Sequence, residues 1–128
     1  MARLIATCVA IVLVSGSPQA HHSFLAEFDP NKPVTLSGPI TKVEWANPHI
    51  FLYLDVKEPS GTVTNWAIEM GNVTALIRLG WTRNALKPGD VVTVDGFLAR
   101  DGSKLANAKT VLFNGKKMFA GSSQGVTP

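Results

Sequence analysis

The sequence predicts an all-β domain that contains a single helix. Strand-like segments rich in Val, Ile and Thr lie on both sides of one short segment with helical spacing. The chain has eight prolines and eleven glycines among 128 residues, which favours strands and turns over a helical bundle. Three strands, a helix and two more strands is the element order of an OB-fold barrel. We therefore expect one domain over residues 34–119, an OB-fold-like five-stranded barrel (β-β-β-α-β-β) plus a C-terminal hairpin, with a small β-sandwich as the alternative.

The first three strands are predicted from alternating apolar residues. Residues 34–45 form a long first strand whose alternation changes phase near Gly38-Pro39, which indicates a bulge or a bend. An Asn47-Pro48 turn follows. Residues 50–57 then alternate cleanly, and a hairpin loop leads to a third strand over residues 62–70.

The second half of the domain begins with the helix. Asn72 can cap its first turn, residues 73–79 have near-helical apolar spacing, and Gly80 can end it. Two strands are predicted over residues 91–99 and 105–113, and Asn114-Gly115 is a hairpin signal that leads into residues 117–119. Residues 120–128 are rich in Gly and Ser, which predicts a disordered tail.

Residues 1–20 have the layout of a cleaved secretory signal peptide. Arg3 precedes an apolar run over residues 4–14, and small residues lead to Ala20. The run is shorter than the roughly 20 residues that a transmembrane helix needs, so we expect a periplasmic protein without a stable membrane anchor. Cleavage after Ala20 removes the only cysteine, Cys8, and makes His21 the first residue. Residues 21–33, with prolines at 30 and 33, are then expected to form an extended N-terminal arm.

Composition excludes several classes of function. The 12 Lys and Arg against 9 Asp and Glu give a net charge of +3, but the basic residues are scattered, so no nucleic-acid footprint is present. A cysteine-free mature chain has no thiolate metal site, and the sequence has no calcium-binding loop or glycine-rich phosphate motif. We therefore expect no enzymatic activity and no catalytic residues.

The three histidines, His21, His22 and His49, carry the main chemical signal. Two stand at the predicted mature N-terminus, and the third lies in the loop between the first two strands, which is a usual ligand-binding loop of OB-folds. An N-terminal histidine offers its α-amine and its ring Nδ1 to one metal ion, and a second imidazole adds a third nitrogen. Such ligands favour Cu(II), with zinc or nickel less favoured. We predict a copper ion bound by these histidines in a periplasmic carrier, buffer or accessory protein with a possible protein partner.

The predicted metal site requires the N-terminal arm to reach His49. The arm enters the first strand at the end far from His49, so it must run back along a strand of roughly 40 Å. About 13 extended residues span roughly 43 Å at most. The reach is sufficient only if the arm stays extended.

Other interpretations stay open. The paired histidines are also consistent with a solvated terminus, and His49 with a turn residue bonded to a backbone carbonyl. Glu44, Asp55 and Glu69 suit a solvated outer face, although Glu44 or Glu69 can also serve as a carboxylate beside a metal near the His49 loop. The alternative function is a non-enzymatic periplasmic binding module for a protein, peptide or glycan on the barrel face. It would use Trp66, although Trp45, Trp66 and Trp81 fit the barrel core better.

Six motifs resemble a known bacterial exported family. They are His21-His22-Ser23-Phe24, Phe28-Asp29, Val43-Glu44-Trp45-Ala46-Asn47-Pro48-His49, Asn65-Trp66-Ala67-Ile68-Glu69, Gly80-Trp81-Thr82-Arg83 and Leu86-Lys87-Pro88-Gly89-Asp90. In this order they resemble the proteins grouped as domain of unknown function 6152, across residues 21–119. The resemblance implies a periplasmic single-domain protein with a double histidine after its signal sequence, and it supplies no reaction. Pro18-Gln19-Ala20 departs from the usual small-residue triplet before the cleavage point.

Export is tested by the N-terminus of the protein under native expression. We expect the periplasmic fraction to contain a chain that begins at His21, because Ala20 is the favoured cleavage point. N-terminal sequencing and intact mass measure this directly. Recovery of a cytoplasmic protein that retains Met1 would contradict the prediction.

Overall fold

The computed structural model describes residues 23–122 as one β-rich domain. Its elements are α1 (Ser23–Glu27), β1 (Phe28–Glu44), β2 (Phe51–Lys57), β3 (Val63–Glu69), α2 (Val73–Arg78), β4 (Val91–Ala99), β5 (Leu105–Phe113) and β6 (Lys116–Phe119). The predicted signal peptide, His21, His22 and residues 123–128 lie outside the described part. Within residues 23–122, neither helix has the length and apolar character to cross a membrane.

The strands form a closed but uneven ring. Their order is β3-β2-β1-β4-β5-β6, and all neighbours in this order are antiparallel. A short parallel pairing of β3 with β5, with Ala67 opposite Leu105 and Glu69 opposite Asn107, closes the ring. The predicted OB-fold-like barrel with its C-terminal hairpin is confirmed.

Alternation along the strands places the core inside the ring. In β2, Leu52, Leu54 and Val56 are buried, and the residues between them are half-exposed. The same face of β4 contributes Val92 and Val94. Trp66 and Trp81 are 6% and 4% exposed and Trp45 packs against the same cluster, so the tryptophans belong to the core.

The predicted bend in the first strand is confirmed near Gly38. β1 pairs with β4 up to Pro39 and with β2 from Ile40, and its register shifts between Ile40 and Lys42. A Cβ atom on Gly38 would lie 2.0 Å from the carbonyl oxygen of Asp55. Only glycine therefore allows β1 to approach β2 this closely where it changes partner.

The helix between β3 and β4 follows its sequence signals. The Asn72 side chain accepts a hydrogen bond from the backbone N–H of Ala75 at 2.8 Å, and Gly80 takes the left-handed conformation with φ of 92°. Trp81 then turns back, and its indole N–H donates to the carbonyl of Phe119 at 2.9 Å. The segment after α2 therefore covers one end of the barrel.

The two ends of the domain differ from expectation. Of the predicted extended arm, residues 23–27 are helical and residues from Phe28 onwards belong to β1. Phe24 and Phe28 are one helical turn apart, and their rings stack at 5.7 Å over Ala99, which stabilises this helix. At the other end Ala120 is fully buried and donates its N–H to the carbonyl of Lys109, so the domain extends beyond residue 119.

Two glycine substitutions separate crowding from backbone strain. Gly38→Ala forces β1 away from the Asp55 carbonyl, and we expect it to lower the free energy of unfolding by more than about 2 kcal/mol. At Gly80 there is open space for a side chain, but the backbone conformation is unfavourable for valine. We therefore expect Gly80→Val to lower the free energy of unfolding by about 1–2 kcal/mol. Urea titration measures both, and a Gly38→Ala protein as stable as the parent would contradict the close approach.

Candidate functional site

His49 is held in place by the loop that precedes β2. The loop contains a cis peptide bond between Asn47 and Pro48, and the Asn47 side chain accepts a hydrogen bond from the N–H of Val73 at 3.0 Å. Directly after His49, the backbone of Ile50 exchanges hydrogen bonds with Met70 and Gly71 at 2.8 and 3.0 Å. These contacts fix His49 against the end of β3 and the start of α2.

The hydrogen bond of His49 determines which ring nitrogen is available. Nδ1 lies 3.0 Å from the carbonyl oxygen of Met70. Because a carbonyl only accepts, Nδ1 must donate, and in the neutral ring Nε2 then carries the lone pair. Within residues 23–122, Nε2 has no hydrogen-bond partner, and the side chain is 35% exposed. His49 is thus a fixed imidazole with an available nitrogen ligand.

A buried carboxylate lies beside the same imidazole. Oε1 of Glu69 is 3.5 Å from Nδ1 of His49 and accepts a hydrogen bond from the Asn107 side chain at 3.4 Å. Glu69 is opposite Phe51 in the β2–β3 ladder, so it lies on the outer face of the ring, yet it is only 8% exposed. Burial raises the pKa of Glu69, and the carboxylate of Glu27 raises it further, whereas His49 and the Asn107 amide oppose this shift.

Helix α1 lies over the outer face close to this carboxylate. Phe24 and Phe28 form a second, smaller apolar cluster with Ala99. Phe97 of β4 and Leu105 of β5 pack against this cluster. Arg100 holds the C-terminal end of α1 in place by two hydrogen bonds. Its backbone N–H donates to the Glu27 carbonyl and its Nε donates to the Leu25 carbonyl, both at 2.8 Å. The start of the described chain is therefore anchored next to β5, the strand that carries Asn107.

The predicted metal ligands are only partly described. His49 is placed, whereas His21 and His22 lie outside the described residues. In residues 23–122, no group of three or more His, Cys, Asp and Glu side chains is arranged to hold a metal ion. The described residues therefore contribute one imidazole with a carboxylate behind it, and any complete metal site requires ligands from elsewhere.

The expected route of the N-terminal arm was wrong. We expected it to run back along the whole first strand, whereas closure of the ring by β3 and β5 already brings the start of β1 near Glu69. Phe28 pairs with Ala99, and β5 lies between β4 and β3. Glu27, directly before β1, is close enough for its charge to act on Glu69.

The other carboxylates of the sequence analysis lie on the solvated face. Glu44 accepts hydrogen bonds from Lys42 and from the Tyr53 hydroxyl, and these contacts lower its pKa. Asp55 accepts a hydrogen bond from Asn65 at 2.8 Å. Neither is paired with His49 in the described part of the chain, so only Glu69 joins the candidate site.

Sequence reasoning missed Arg100 and Asn107. The spacing of Phe24 and Phe28 was a signal for a helix with one apolar face, and such a helix needs a partner for its last carbonyls. Asn107 lies in the middle of β5 and is buried. A polar residue on the outer face of a strand fits the alternating pattern whether it faces water or is covered, so the pattern does not show that it is buried.

The fold and the site define a class of protein: a small barrel-like all-β domain with a fixed, half-exposed imidazole backed by a buried carboxylate. The chain belongs to a family of unknown function, DUF6152, which it matches over residues 9–108. A comparison with curated proteins finds no match. The family resemblance noted from the motifs is thereby confirmed.

Glu69 makes the stability of the fold depend on pH. Its folded-state pKa lies above the value of about 4.3 in an unfolded chain, so the folded protein binds this proton more tightly. Glu69 therefore contributes stability below the unfolded-state pKa, and this contribution is lost as the pH rises through the folded-state pKa. We expect the stability of Glu69→Gln relative to the parent to increase as the pH rises above the unfolded-state pKa of about 4.3, as measured by urea titration at each pH.

Glu44→Gln is the matched control for this experiment. The pKa of Glu44 is lowered in the folded protein, so its loss changes the pH profile in the opposite direction. Parallel profiles for the parent and Glu69→Gln would show that the carboxylate is not desolvated.

Proposed function

We propose that the protein binds one Cu(II) ion in the periplasm as a non-enzymatic carrier, buffer or accessory protein. The ligands are Nε2 of His49 and the α-amine and Nδ1 of an N-terminal His21, with His22 as a further ligand. The observation that carries this proposal is the hydrogen bond from Nδ1 of His49 to the Met70 carbonyl, which leaves Nε2 free to bind a metal.

The surroundings of His49 support a metal-binding role. Metal-bound imidazoles commonly donate their second nitrogen to a carbonyl or carboxylate, which fixes the ring and increases its basicity. Here Met70 and Glu69 both approach Nδ1, at 3.0 and 3.5 Å. A histidine held only as a turn residue would not need a buried carboxylate behind it.

Chain length supports the participation of the N-terminus. From Glu27 to Ser23, helix α1 rises about 6 Å at 1.5 Å per residue. Two more residues, His22 and His21, span at most about 7 Å. The terminus of a chain cleaved after Ala20 is thus attached about 13 Å or less from the backbone of Glu27, whose carboxylate acts on Glu69.

Ligand chemistry favours copper. The site offers an amine and imidazoles, and such nitrogen donors bind Cu(II) more tightly than Zn(II) or Ni(II). The α-amine has an ordinary pKa of about 7.7 and must lose its proton to bind. Affinity should therefore increase with pH up to about pH 8.

The proposal is tested by copper titration of the mature chain, followed by electron paramagnetic resonance. We expect one Cu(II) per chain with a nitrogen-rich spectrum. His49→Gln retains a donor toward the Met70 carbonyl but has no imidazole, so it should weaken binding strongly and reduce the nitrogen coupling. One added N-terminal Gly keeps every side chain but displaces the amine, and it should weaken binding as well.

Glu69→Gln changes the group behind His49 without removing a metal ligand. It preserves shape and the Asn107 contact but removes the charge behind His49, so we expect copper affinity to fall about 10–100-fold with the ligand set unchanged. Equal affinity and identical spectra for the parent and His49→Gln would show that His49 is not a ligand. The proposed site would then be overturned, and binding would belong to the N-terminus alone.

One observation favours the alternative function of a binding module. Phe51 and Tyr53 lie on the outer face of β2 with ring centroids 6.3 Å apart, and the Lys42 ammonium lies 5.2 Å from the Tyr53 ring centroid. Such an aromatic pair suits stacking against a sugar ring. Trp66, the residue first considered for this role, is buried and donates to Glu58 at 3.3 Å. A glycan screen with the parent and Phe51→Ala tests this alternative.

A further inference from the structure

A cavity of about 270 Å³ opens at the end of the barrel that Trp81 covers. It lies between the segment that follows α2 and the β5–β6 hairpin. Its lining includes Trp81, Ala85, Leu86, Val111, Phe113, Lys116 and Met118. Val111 and Leu86 are also core residues, so the cavity reaches from the surface to the apolar interior.

The walls of this cavity are fixed by contacts that do not involve a ligand. The Trp81 indole N–H is already bonded to the Phe119 carbonyl, and the ring is 4% exposed. Ala85 donates its N–H to the Thr82 carbonyl at 3.0 Å, which holds the opposite wall in a turn. A preformed, mostly apolar cavity of this kind is the usual setting for a small-molecule site.

Lys116 gives the cavity a positive charge at its rim. Its ammonium forms no ion pair with a residue in the range 23–122. The next residue, Lys117, lies 3.8 Å from Asp95. An anionic group on a bound molecule would supply the partner that Lys116 lacks within the described chain.

We propose that this cavity binds a small aromatic carboxylate, with the ring between Phe113 and Met118 and the carboxylate at Lys116. A volume of about 270 Å³ lies near the lower end of the roughly 300–1,000 Å³ that is usual for ligand pockets, which suits a ligand the size of benzoate. Aromatic and thioether walls favour a planar ring over an aliphatic chain. This binding is separate from the metal site, because it uses none of the histidines and does not involve Glu69.

The test uses 4-fluorobenzoate and the metal-free mature chain, with binding followed by fluorine NMR. We expect saturable binding of one molecule per chain. The neutral analogue 4-fluorobenzyl alcohol should bind about fivefold more weakly, which corresponds to an exposed ion pair. Lys116→Met should reduce the affinity for 4-fluorobenzoate by the same factor and leave that for the alcohol unchanged.

Two further variants complete the experiment. Lys117→Met removes the same charge outside the cavity and should leave both affinities unchanged. Ala85→Phe fills the cavity and should abolish binding of both molecules, with circular dichroism to confirm its fold. Absence of saturable binding at millimolar ligand, or equal affinities for the parent and Lys116→Met, would overturn the proposal, whatever the outcome of the copper titration.

Discussion

The short parallel pairing between β3 and β5 is the contact on which the rest of the molecule depends. It spans only Ala67–Glu69 and Leu105–Asn107, yet it converts a curved sheet into a closed ring with one apolar interior. The same pairing sets Glu69 beside Asn107 on the outer face. Without it, the carboxylate behind His49 would lie at an open sheet edge in contact with water.

Closure also creates the surface on which the N-terminal helix packs. Phe97, Ala99 and Leu105 come from two adjacent strands and lie outside the ring, where they would otherwise be exposed. Phe24 and Phe28 cover them, and Arg100 satisfies the last carbonyls of the helix. The domain therefore has two apolar layers, one inside the barrel and one under α1, and Glu69 lies beside the boundary of the second layer.

Most of the barrel could be predicted from the sequence because its signals are local. Asn72 and Gly80 bound the helix, and β4 and β5 begin and end as their alternation and turns require. The prediction failed where a second layer covers the outer face. There Phe24 and Phe28 resemble scattered aromatic residues of an arm, and the surface of β4 and β5 on which they pack favours a helix over residues 23–27.

The candidate site was predictable in part for the same reason. His49 stood out because it follows a turn and histidines are few in this chain. Glu69 was considered beside a metal, but an alternating strand gives no sign of whether its outer face meets water. Asn107 and Glu27 act on Glu69 across large sequence separations, and such contacts depend on ring closure, which no local pattern encodes.

The bond between the Trp81 indole and the Phe119 carbonyl has a consequence for self-association. β6 is the last strand of the sheet, and an unprotected edge of this kind can recruit a strand from another molecule. The indole occupies a main-chain acceptor at its end, and Lys116 and Lys117 place like charges along a strand of only four residues. A neighbouring copy that approached this edge would face electrostatic repulsion and an incomplete set of hydrogen-bonding groups. Trp81, which covers the barrel end, thereby also makes the edge of β6 less available to a strand from another molecule.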